Sequence, residues 1–200
     1  MDVNVRAVHL EPVLHMGGSD VALSSVPSRA LLDVILDHLK PLRDAGQNDS
    51  ETCPLFGGVE IRIDGALCLG PQCCGDLSDI ESWYAIAATD FQETYIAPAG
   101  HPSPHVRRQD SILQFTCVDE DDPFSPGTVP AFSVHRDAFL RAVPQLLDEL
   151  DAFSVLISRM TSEAGLTIGS PELIGVSVPV LRRDFVRQTL GATTQDSGGV

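Results

Sequence analysis

The chain has 200 residues with 28 Asp and Glu against 13 Lys and Arg, a formal net charge of −15, and 43% apolar residues. A field of that sign repels phosphate backbones and anionic lipid, so neither nucleic acid nor a membrane surface is an expected partner. The basic pairs Arg107/Arg108 and Arg182/Arg183 are too little for a duplex footprint, and apolar runs broken by Asp, Glu, Arg or Pro leave no membrane-spanning candidate.

A chain of this length and composition buries roughly 70% of its unfolded surface in one core. A single α+β domain over 1–190 is expected, followed by a disordered tail over 191–200. The start carries neither the basic nor the apolar region of a signal peptide, and the five cysteines are odd in number, with Cys73 and Cys74 adjacent. Free thiols in the cytoplasm are therefore expected rather than a secreted disulfide framework. Lys40 is the sole lysine, and such an arginine bias is associated with GC-rich bacterial genomes.

In chain order, residues 1–12 alternate through Val3, Val5 and Leu10 as an opening strand, and a loop follows through Gly17, Gly18 and Pro27. From Ser28 to Arg43, Leu31, Leu32, Ile35, Leu36 and Leu39 recur at helical spacing, with Pro41 and the polar stretch 44–52 ending the helix. Gly57 to Leu69 reads as a hairpin, in which Val59, Ile61 and Ile63 alternate with charged residues and Asp64-Gly65 supplies the turn. After the turn Gly70 to Asp76, a helix is predicted over 79–88, capped by Asp76 or Ser78.

Short strands are predicted over 94–97, 112–118 and 129–134, separated by turn-rich stretches over 98–110 and 119–128. The longest helical pattern covers 137–160 with a broad apolar stripe, and Pro144 is expected to kink or divide it. A late strand over 173–178, closed by Pro179, and a short helix over 181–190 complete the chain. These elements predict an α+β fold: an antiparallel sheet packed by a long helix in the C-terminal half and two or three shorter helices.

Three segments stand out chemically. The turn holding Cys73 and Cys74 precedes a helix N-terminus, where backbone N–H groups and the helix dipole favour a thiolate. With His101 and His105 these cysteines form a candidate zinc set, although zinc sites prefer C-x2-C pairs to adjacent cysteines. The same four residues also admit a thiol nucleophile with a histidine base, which makes a metal- or thiol-dependent enzyme the alternative reading. The plainer reading is that the cysteines pack as small apolar side chains near Trp83 and the histidines shape a loop. No cofactor is otherwise implied, since no G-x-S-x-G, H-E-x-x-H, phosphate-loop or dinucleotide motif occurs.

The second segment is His101 to His105, where two prolines stiffen a loop able to present its histidines. The third is Asp119-Glu120-Asp121-Asp122, whose adjacent carboxylates repel one another unless a basic surface compensates. Asp119, Glu120, Asp121, Asp122, His101 and His105 are thus the candidate contacts for a basic protein partner. A solvated loop is the plainer reading of the acidic run.

The segments Pro71-Gln72-Cys73-Cys74-Gly75-Asp76-Leu77-Ser78-Asp79 and Gly100-His101-Pro102-Ser103-Pro104, with Trp83 and Asp148-Glu149-Leu150 beyond, resemble small acidic bacterial proteins of the immunity type. The resemblance covers roughly residues 55 to 160. It carries over no activity and no catalytic residue; beside it, the charge makes an acidic binding or inhibitor protein of immunity type, neutralising a basic partner such as a toxin domain, the expected function.

Overall fold

The computed structural model describes residues 6–71, 74–88, 95–96, 103–118 and 132–192. Within them the chain forms two four-stranded antiparallel sheets and five α-helices, an α+β architecture. The first sheet contains β1 (Val8–Met16), β2 (Ser19–Ala22), β3 (Gly57–Ile63) and β4 (Ala66–Leu69) in the order β2-β1-β3-β4. The second contains β5 (Tyr95–Ile96), β6 (Ser103–Gln109), β7 (Ile112–Val118) and β8 (Phe132–His135), in chain order.

The first sheet follows from side-chain alternation. Val8, Leu10, Pro12 and Leu14 of β1 stand opposite Ile63, Ile61, Val59 and Gly57 of β3, which places Leu10, Leu14, Val59, Ile61 and Ile63 on one face in the core, with Val8 packed against it. The other face sets Glu11 directly opposite Glu60, a repulsive pair. Arg62 resolves it, bonding Glu11 at 3.0 Å and also Glu60.

Helix α1 (Ser28–Asp44) buries Leu31, Ile35 and Leu39 on one stripe, the spacing of a helix with one wet face. Helix α3 (Arg136–Glu163), about 42 Å long at 1.5 Å per residue, lies against β1 and touches the other four helices. These are α1, α2 (Ile80–Ala88), α4 (Ser170–Ile174) and α5 (Val178–Ala192). Trp83 of α2 and Phe139 of α3 pack on Phe115 of β7, with ring centroids 6.3 and 5.8 Å away, while Phe132 of β8 stacks on it at 4.7 Å. This aromatic cluster joins the second sheet to the helices, and one hydrophobic cluster contains side chains of both sheets.

Five expectations are corrected. The opening strand runs on past Pro12 to Met16 in β1, and its partner β2 occupies the stretch read as a loop, because Gly17 and Gly18 both take positive φ and reverse the chain tightly. Strand β6 fills the second half of the segment read as turns, with Pro104 paired to Cys117. Pro144 does not divide α3, which runs as one helix through it. The strand expected over 173–178 is absent: Ser170–Ile174 is helical, and Pro179 sits in the first turn of α5, where its missing N–H costs no intrahelical bond. Finally, α5 continues to Ala192, past the expected start of the tail.

Candidate functional site

The site is built around Phe56. The backbone from Leu55 to Gly57 is paired on both sides: His15 N–H donates to the Phe56 carbonyl at 2.9 Å, while Gly57 N–H donates to Gly75 and Leu77 N–H to Leu55, at 3.1 and 3.0 Å. Strand alternation then dictates direction. Leu55 and Gly57 face inward and Phe56 faces out, 53% exposed while Leu55 is 1% exposed.

Gly57 is required by this arrangement. A Cβ there would stand 2.2 Å from the Val13 carbonyl oxygen of β1, so no larger residue fits while the strands stay paired.

Phe56 divides two clefts. One, of about 430 Å³, is walled by His15, Asp20, Pro71 and Cys74. His15 and Asp20 are opposed across the β1–β2 pair, and Asp20 accepts a hydrogen bond from His15 Nδ1 at 3.0 Å. The other, of about 490 Å³, lies between α1 and the following 3-10 turn, Asp49–Glu51, and is lined by Asp37, Pro41, Leu42 and Glu51 besides Phe56. No Lys or Arg lines either cleft among the described residues.

Two contacts hold the second cleft's shape. Arg43, in the last turn of α1, grips Asp49 through two bonds of 2.8 and 2.6 Å, a bidentate pair that pins the 3-10 turn beside the helix. The guanidinium holds the Asp49 carboxyl below the usual carboxylate range, and the pair raises Arg43 in turn.

Also from α1, His38 Nε2 lies 2.9 Å from the Cys53 carbonyl. A carbonyl only accepts, so that nitrogen carries the proton. The His38 ring meets Phe56 edge to face, with centroids 5.7 Å apart. Cys53 Sγ lies 3.8 Å from the same Nε2, but a protonated nitrogen has no lone pair to take the thiol proton. This Cys–His contact therefore lacks the geometry of a nucleophile and its base.

The expected chemical residues are distributed differently. Cys74 lies in the turn after the first sheet, on the wall of the first cleft, exposed and with a left-handed φ of 67°. It is not packed as a buried apolar side chain. His105 belongs to β6, opposite Thr116, with its Nε2 shut off from solvent. Cys73, His101 and the run Asp119 to Asp122 lie outside the described residues. Among the described residues no three His, Cys, Asp or Glu side chains gather as a group able to hold a metal ion.

The turn leading to α2 has one further electrostatic feature. Asp76 caps the 3-10 turn Leu77–Asp79, accepting from Ser78 N–H at 2.8 Å, and Asp79 accepts from Asp76 N–H at 3.1 Å. Burial pushes the Asp79 carboxyl up to about 6, despite that hydrogen bond, with the neighbouring Asp76 charge adding to the rise.

Comparison with protein families, curated proteins and solved structures finds no match to this chain.

Proposed function

We propose that this chain is an acidic binding protein that masks a basic protein partner, in the manner of an immunity protein neutralising a toxin domain. The charge carries the reading: an excess of 15 acidic groups over Lys and Arg in 200 residues. Such a field accelerates encounter with a cationic surface and disfavours nucleic acid and anionic membrane. Among the described residues no helix is long and apolar enough to cross a membrane. Carboxylates on the walls of clefts beside an exposed aromatic ring supply an anchor together with complementary charge.

The test is capture from extracts of the source organism at low salt, identification of the bound protein, and reconstitution from purified components. A basic protein that forms a stoichiometric complex and loses its own activity in it is the expected result. Recovery only of neutral or acidic proteins, or of none, refutes the proposal.

A further inference from the structure

The partner-binding reading gains a location in the cleft between α1 and Phe56, and the inference below rests on that reading. We infer that this cleft receives an arginine side chain from a surface loop of the basic partner, its guanidinium between Asp37 and Glu51 and its stem along Pro41, Leu42 and Phe56.

The chemistry matches in three respects. The cleft's lining combines the apolar side chains of Pro41, Leu42 and Phe56 with the exposed carboxylates of Asp37 and Glu51, which suits a side chain with a methylene stem and a charged head. Two carboxylates match the several N–H donors of a planar guanidinium, which also packs well on an aromatic ring. Neither acid has an ion-pair partner among the described residues. The two cations nearest along α1 are already engaged, Lys40 with Asp44 at 3.3 Å and Arg43 with Asp49 at 2.6 Å. The charge of the cleft is therefore left for an incoming cation.

The ring argues against a merely solvated surface. Phe56 is held outward by backbone pairing on both sides, and His38, fixed by its bond to Cys53, braces the ring from the α1 side. An aromatic side chain half in water, braced and flanked by concave walls, offers a preformed anchor whose ordering cost is already met in the free protein. A second copy of this chain is a poor occupant, because two bodies of charge −15 repel.

The experiment titrates the 15N-labelled full chain at low salt with the peptide acetyl-Gly-Arg-Gly-Arg-Gly-amide. Two control peptides replace arginine with lysine or with citrulline, which keeps the shape and lacks the charge. Shifts are expected at the amides of Asp37, Glu51, Cys53 and Phe56. Binding should be about tenfold or more weaker for citrulline and intermediate for lysine.

Phe56→Ala and the double variant Asp37→Asn/Glu51→Gln should each lose most of the affinity. The equally neutralising Asp151→Asn/Glu163→Gln pair, exposed on α3, should lose little. Shifts confined to other surfaces, equal binding of citrulline, or an equal loss in the α3 control overturns the assignment.

Capture distinguishes this inference from the function it serves. A basic protein bound equally by the parent chain and by Phe56→Ala overturns the cleft and leaves the binding function standing. Recovery of no basic protein, with the peptide still seated at Phe56, sinks the function and leaves the cleft's preference for guanidinium intact.

Discussion

Replacing Asp79 by Asn should stabilise the protein near neutral pH and leave it nearly unchanged at about pH 4. Asp79 is half-buried, and its carboxyl rises from an ordinary 3.8 to about 6 on folding, chiefly through burial. Between those two values the folded state holds a proton that the unfolded chain has released. Stability contributed by this group is therefore complete below about pH 4, falls as pH rises to about 6, and stays reduced above it. Undiminished, such a rise is worth about 3 kcal/mol; because the group is partly open to water, screening reduces it to about 1 kcal/mol.

Asparagine keeps an oxygen able to accept the Asp76 N–H and has no charge to desolvate. Urea unfolding followed by the fluorescence of Trp83, the sole tryptophan and 1% exposed, measures both proteins across pH 4 to pH 8. The difference between them isolates Asp79 from the many other carboxylates. A variant less stable than the parent at pH 7.5, or a difference that does not change with pH, would show that Asp79 is not destabilised by its burial.

Other outcomes follow from the same structure. Gly57→Ala should cost about 1–3 kcal/mol in urea unfolding, because the added methyl meets a backbone oxygen that cannot rotate away; an unchanged midpoint contradicts the close packing of β1 and β3. Arg62→Leu should cost about 1–2 kcal/mol by leaving Glu11 and Glu60 opposed without a cation, measured the same way, and an unchanged midpoint contradicts it. Leu39→Ala, at a fully buried position on α1, should lower stability by about 2–5 kcal/mol, with a loss below 1 kcal/mol contradicting the packing. Phe56→Ala, by contrast, should change stability by less than about 1 kcal/mol, since the ring is more than half exposed.

Elements with a strong local period were legible in the sequence. Leu31, Ile35 and Leu39 mark α1, and Asp64-Gly65 marks the β3–β4 turn, with Asp64 and Gly65 both at positive φ. Residues 173–178 misled because Leu173, Ile174, Val176 and Val178 suit a strand, yet stronger local signals stood beside them. Glu172 accepts from Gly169 N–H at 3.1 Å, Pro171 suits a helical first turn, and Gly175 closes α4 in the left-handed conformation at φ 77°. Strand β6 was hidden by Pro104, a residue that marks turns more often than strands.

The Phe56 clefts were not legible, although alternation through Leu55, Phe56 and Gly57 was in plain view. Which of two alternating residues faces water depends on partners distant in sequence: His15 on one side, Gly75 and Leu77 on the other. That Glu51 and Asp37 line one cleft likewise depends on the Arg43–Asp49 pair, which holds the 3-10 turn against α1. Acidity was visible as a total and as the run Asp119 to Asp122, but the placement of single acids on cleft walls is a tertiary property.

In the proposed function, charge draws this chain to a basic partner. The rate of association between the purified chain and the basic protein it captures, followed by stopped flow from about 50 mM to about 500 mM salt, tests it most directly. The on-rate should fall about tenfold or more over that range while the dissociation rate changes little. An on-rate indifferent to salt contradicts it.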